Sequence, residues 1–224
     1  MKKYLLLLAM FMGALSYSQE TQEPRVTVVG TGTVNIEPDR VVINSRIEHT
    51  GKPAAEVKKQ NDEVVNRVIK YLKAQGIAAK DIQTEYIRLN KEYHYNSKDT
   101  SYSANQAISI QLRDLKKYEM IMSGLLNAGL NRIDGIEFQT SKKEQLQAEA
   151  RRKAMQDAQL KAKEYAEALG QQIGKAVSIN EIQTDGYQPV YRVMEMKQDS
   201  SEQETIAPGE MEIRVKVDVS FLLL

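Results

Sequence analysis

The chain has no cysteine and no tryptophan in its 224 residues, and only three phenylalanines and two histidines. Without cysteine there is no disulfide, no thiolate zinc site and no thiol nucleophile. The histidines, His49 and His94, stand alone, and no ligand spacing surrounds either, so no metal site is expected. Neither sign of charge dominates, with 31 basic against 30 acidic residues. No basic stripe with interleaved aromatics occurs, which argues against a nucleic-acid partner. Past the first residues no apolar run approaches the roughly 20 that a spanning helix needs, so no transmembrane segment is expected there.

The N-terminus carries the strongest local signal. Lys2 and Lys3 precede an apolar run from Leu5 to Leu15, interrupted by Gly13, and the small residues Ser16 and Ser18 follow. This order describes a signal peptide, residues 1–18, cut near Ser18–Gln19. The chain is therefore expected to be exported. Residues 19–224 then suit one large domain or two small ones, with enough length to bury a core unaided.

Along that stretch the hydrophobic period alternates between 2 and 3.6. Val26, Val28, Val34 and Ile36, with Gly30 and Gly32 between them, read as a strand. Val41, Ile43, Ser45 and Ile47 read as its hairpin partner across a Pro38-Asp39 turn. Pro53 opens a helix whose buried face is Val57, Asn61, Val64, Val65, Val68 and Leu72, and Gly76 ends it. Ile82 to Tyr95 reads as one long strand, Asn96 to Thr100 as a turn, and Ala104 to Arg113 as the returning strand. Asp114 is placed to cap a helix bearing Leu115, Tyr118, Met122, Leu125 and Leu126, which Gly129 stops. A short strand around Ile133, Ile136 and Phe138 leads to the longest helix, about Lys143 to Leu169, capped by Thr140 or Ser141. Strands are expected at Val177 to Gln183 and Val190 to Met196, and a polar loop from Gln198 to Pro208. The last strand alternates Met211, Ile213, Val215, Val217, Val219 and Phe221 with Glu212, Arg214, Lys216, Asp218 and Ser220.

These elements give an α+β class, with antiparallel hairpins and sheet packed on long helices. The order β-α-β-β occurs twice, about residues 25–113 and 131–224, with a helix over 114–129 between them. Asp81-Ile82-Gln83-Thr84 and Glu181-Ile182-Gln183-Thr184 match across the two parts, as an internal duplication would require.

No catalytic constellation assembles from these residues. Gly30-x-Gly32 is followed by strand and not by the helix N-terminus that a phosphate loop needs, so close backbone approach is the better account. No nucleophile elbow is present. Asp39 and Asp81 read as turn and strand-entry residues, and no carboxylate sits in an apolar setting that would shift its pKa. Neither enzyme activity nor a cofactor is expected. Two features invite contact instead. Tyr86, Tyr93, Tyr95 and Tyr102 surround the central hairpin and suit a contact surface, although tyrosine also simply favours strands. Ala150, Ala154, Ala158, Ala162 and Ala166 form a small-residue ladder on the long helix. It suits close packing either on the chain's own sheet or against a second protomer.

The ordered set Gly30-x-Gly32, Pro38-Asp39, Gly76-Ile77, Asp81-Ile82-Gln83-Thr84, Tyr93-x-Tyr95, Tyr102-x-Ala104, Phe138, Ala150 to Ala166, Leu169-Gly170 and Gly209-Glu210 resembles the SIMPL-domain family of exported bacterial proteins. Two positions depart from the pattern. Asn90-Lys91-Glu92 stands where a proline is common, and Ser101 stands where a glycine usually precedes Tyr102. The resemblance implies a periplasmic or outer-membrane-associated protein linked to envelope stress and surface antigens. It implies no catalytic residues. The expectation is a non-enzymatic envelope protein that forms a homo-oligomer with a structural or stress-protective role. The alternative is a periplasmic binding module for a peptide or small hydrophobic ligand, and a hydrolase or metal-dependent enzyme stands third; besides a second copy of the chain, the partner considered is an envelope protein.

Overall fold

A computed structural model describes residues 23–95, 98–182 and 208–224. The signal peptide, the strand expected over Val190 to Met196 and most of the loop to Pro208 lie outside the described residues. The chain is α+β, and the described residues form eight strands and three α-helices in order: β1 (Arg25–Ile36), β2 (Arg40–Gly51), α1 (Ala54–Ala74), β3 (Ile82–Thr84), β4 (Arg88–His94), β5 (Asp99–Leu112), α2 (Tyr118–Ala128), β6 (Arg132–Gln139), α3 (Lys143–Ala168), β7 (Ile173–Ile182) and β8 (Met211–Leu223). The strands form two sheets, β1-β8-β7 and β3-β5-β2-β6, with β4 also paired to β5. The chain divides into two compact units, and the division falls inside β1, α3 and β8.

The larger unit spans 33–151 and 184–215. Its sheet is centred on β2, which pairs antiparallel with β5 from Val41↔Leu112 to Gly51↔Tyr102 and with β6 on its other edge. On one face Val41, Ile43, Ser45 and Ile47 are buried, and so are Ile108, Ile110 and Leu112 across the register. The helix α1 covers this face with Val57, Asn61, Val64, Val65, Val68 and Leu72, the six residues its period marks. Ile121, Met122 and Leu125 of α2 complete the core. Fully burying each branched side chain contributes about 1.5–3 kcal/mol.

Three sequence expectations need correction here. The strands β1 and β2 do not pair as a hairpin: they belong to different sheets. Both edges of β2 are taken by β5 and β6, and Asp39 holds the connection by donating its N–H to the Gln139 carbonyl and accepting from Ser141. The long strand over Ile82 to Tyr95 is two strands. Thr84 pairs with Ile108 but Arg88 with Asn105, so one extra residue enters and the side-chain alternation flips. Tyr86 sits at that bulge, where Glu85 donates its N–H to the Ala107 carbonyl. Third, Asp114 caps the 3-10 turn Leu115–Lys117, through the Lys116 N–H, and not the α-helix itself. The returning strand also begins earlier than read, at Asp99.

The smaller unit spans 1–32, 152–183 and 216–224. Here β1 lies beside β8, and α3 packs on β1. A Cβ built on Gly30 would lie 2.0 Å from the Ala154 carbonyl oxygen and 2.7 Å from the Ala158 Cβ. No side chain fits between this strand and this helix, which explains glycine against alanine. Leu223 donates its N–H to the Pro24 carbonyl, so even-numbered backbone groups of β1 turn towards β8 and odd ones towards the open edge. On that edge the Thr31 N–H is bound by Asp157 at 2.8 Å and the Val29 carbonyl by Lys161 at 3.0 Å. The α3 pair thus occupies backbone groups that another strand could otherwise use.

Gly30→Ala should destabilise the protein by about 2 kcal/mol or more through overpacking. Gly135→Ala, where a Cβ meets nothing within 4 Å, should be neutral or stabilise by about 0.5 kcal/mol. Urea unfolding midpoints of the two variants check this, and equal midpoints would contradict the close approach.

Candidate interaction surfaces

The tyrosines named from the sequence do not form one cluster. Tyr86 is 95% exposed at the bulge, and Tyr95 is 87% exposed where β4 ends. Tyr93 and Tyr102 are brought onto one face by register. Tyr93 pairs with Thr100 and Lys91 with Tyr102, so the two tyrosines are diagonal neighbours. Tyr102 is half-buried and Tyr93 exposed. The Ser101 hydroxyl lies 2.7 Å from His94 Nε2, a contact that a glycine could not make.

Ala150, Ala154, Ala158, Ala162 and Ala166 are all buried within the chain. Other side chains of α3 stand out: Leu160 and Tyr165 are more than half exposed, as is Leu169 just after the helix. Most exposed of the strands in its sheet is β7. From Lys175 to Ile182 every residue is exposed, including Val177, Ile179 and Ile182. Among the described residues β7 has β8 as its one neighbour, paired from Ile173↔Leu223 to Ile182↔Lys216 with two register shifts.

Electrostatics add a residue that sequence reasoning missed. Asp81 is buried, and its carboxylate takes two bonds from Arg113, at 2.7 Å from Nε and 2.6 Å from Nη2. The Arg113 fork, outweighing burial, holds the Asp81 carboxyl below the usual range. The sequence reading of Asp81 as a strand-entry residue did not anticipate this shift, which comes from the Arg113 bonds and not from an apolar setting. The signal was available only as a lone Arg after a strand. Asp157 is also held low, by the Lys161 ammonium and then the Thr31 N–H. At Asp39 burial pushes upwards, but the two Ser141 bonds together with Arg40 and Lys142 bring it down. All three shifts favour the charged form, opposite to the raised pKa of a general acid.

The histidines are apart in role. His49 Nδ1 lies 3.4 Å from the Asn61 side-chain oxygen, and His94 faces Ser101. Among the described residues no group of three or more His, Asp or Glu side chains is placed to hold a metal ion. No helix among them is long and apolar enough to cross a membrane.

The SIMPL family, described as a protein of unknown function (DUF541), matches residues 26–221. The chain belongs to this family. It is 30% identical over 233 residues to the uncharacterized protein YggE of Escherichia coli K12, covering all of this chain and 94% of that one. It is 29% identical over 188 residues to the 26 kDa periplasmic immunogenic protein of Brucella melitensis, covering 77% of this chain and 75% of the relative. YggE of Edwardsiella ictaluri is 29% identical over 189 residues, covering 80% and 79%.

Removing the Asp81 charge tests the ion pair. Asp81→Asn should lower stability at pH 7 by about 1–3 kcal/mol, less than the roughly 3–5 kcal/mol for a fully buried pair because Arg113 is half-exposed. The folded pKa is depressed, so this stabilisation is present above the unfolded value of about 3.9 and is lost as pH falls through the lower folded value. Unfolding free energies of the native and variant chains should therefore converge below about pH 4. A difference that persists undiminished at pH 2 would rule out the charge as its source.

Proposed function

We propose that this chain is an exported protein of the cell envelope that acts by self-assembly, in a structural or stress-protective role, and not by catalysis. The observation that carries the reading is β7. Ten residues long, it leaves one edge without a strand neighbour among the described residues, and Ile179 is 59% exposed. Natural edge strands are blunted by charge, bulges or cover. The edge of β1 has such cover in Asp157 and Lys161, whereas β7 presents Val177, Ile179 and Ile182. A second copy of the chain, adding its own strand at this edge, would pair the backbone groups and cover these side chains.

Export is supported by the Lys2-Lys3 and Leu5–Leu15 segment and by a relative whose printed name is periplasmic. Asp39, Asp81 and Asp157 are each held in the charged form, which does not suit a carboxyl that must donate a proton. The second reading, a binding module, draws on Tyr86, Tyr93 and Tyr95 along the exposed strand β4. There an extended peptide or an envelope protein partner would meet apolar rings with polar tips.

Light scattering on the purified protein should give a mass several times the 25.4 kDa of the chain, or less by the leader if that is removed. The double substitution Val177→Lys with Ile179→Lys should shift it to monomer while leaving the circular dichroism unchanged. A native chain that stays monomeric across concentration, or that turns over a compound catalytically, would overturn this reading.

A further inference from the structure

The loop after α1, the turn before β3 and the end of β5 enclose an open-mouthed cleft of about 290 Å³. All its lining residues belong to the larger unit. Ile77 and Ala78 give it an apolar wall, and Lys80, Arg113 and Lys117 give it cations. Asp81 and Asp114 are the lining anions, and each is already engaged. Asp81 holds Arg113, and Asp114 accepts the Lys116 N–H at 3.1 Å.

The arrangement of Arg113 is the informative part. A guanidinium carries five N–H donors in a planar fork. Asp81 takes the side-on pair, from Nε and Nη2. Three N–H groups remain, one on Nη2 and two on Nη1, and the Nη2 one lies parallel with one of the Nη1 pair on the end of the group, the geometry that receives a planar two-oxygen acceptor. The side chain is 44% exposed, so this end is not sealed in, while its buried partner fixes the plane of the group. Neither Lys80 nor Lys117 makes a salt bridge among the described residues, and both line the cleft beside Arg113.

We propose that this cleft binds the carboxylate of a small organic acid with a short apolar chain. Arg113 takes the two oxygens end-on, Lys80 and Lys117 supply attraction, and the chain lies against Ile77 and Ala78. The size selects against larger ligands, since about 290 Å³ is at the small end of the roughly 300–1,000 Å³ usual for ligand pockets. With Arg113 neutralised by Asp81, the two lysines leave a positive charge for an anion to meet, and a neutral ligand gains nothing from them. The site is independent of the β7 edge and stands or falls separately from assembly.

Saturation-transfer NMR suits the test, because it observes the ligand and tolerates a large assembly. With the full protein, hexanoate should show saturable transfer to its methylene protons, and hexanamide, equal in shape but uncharged, should show little. Lys80→Gln with Lys117→Gln should weaken hexanoate binding by about tenfold, as expected for two partly solvated charges. Lys59→Gln with Lys70→Gln, on the exposed side of α1, should leave it unchanged. Arg113→Lys keeps a cation for Asp81 but removes the fork, and should also weaken binding. Equal transfer to hexanoate and hexanamide, or hexanoate binding untouched by the Lys80 and Lys117 pair, would overturn the proposal. Unchanged melting temperatures of the variants separate loss of the site from loss of the fold.

Discussion

Backbone contact between β1 and α3 is the constraint on which the smaller unit depends. Strand and helix come so close at Gly30 that even a methyl group would collide with the Ala154 carbonyl. Hydrophobic burial alone does not require such an approach; ordinary side chains would hold the layers further apart. The short distance brings Asp157 and Lys161 within reach of the strand's own N–H and carbonyl. The alanine ladder, the glycine and the edge contacts are therefore one device. Each part presupposes the others, and enlarging any of them withdraws the helix from the strand.

The larger unit solves a different problem with ordinary means. Its core is branched aliphatic side chains from β2, β5 and α1, packed between a sheet and a helix. Charge enters it at one place, where Asp81 is buried and Arg113 is the cost-relieving partner. A buried carboxylate without that partner would be expelled or protonated. The pair also fixes a guanidinium at the protein surface in one orientation, so a device that settles a local electrostatic problem leaves an organised cation facing solvent.

Much of the fold was legible because periodicity reports burial directly. The six buried residues of α1 and the alternation of β8 are local patterns, and they reappear unchanged. The family resemblance, carried by ordered glycines, tyrosines and alanines, holds over nearly the whole length. Pairing was less legible, because adjacency in sequence suggested a β1–β2 hairpin whereas the partner of β1 lies some two hundred residues away. The bulge between Thr84 and Arg88 was hidden since a single extra residue leaves composition untouched and only reverses facing. Arg113 was invisible for a similar reason: its partner Asp81 is 32 residues distant, and nothing local distinguishes it from a solvated arginine.

The hydrogen bond between Thr27 and Ser220 joins residues 193 positions apart, across the boundary of β1 with the sheet's middle strand. The three-stranded sheet thus cannot close during synthesis, for its centre is made after both of its flanks. Until β8 emerges, β1 and β7 have no strand between them and the alanine side of α3 has only part of its cover. Such high contact order slows folding and lengthens the interval in which sticky surface is open. The two units consequently mature at different times: the aliphatic core between Val41 and Leu130 is complete in sequence long before the strand that closes the smaller sheet has been made.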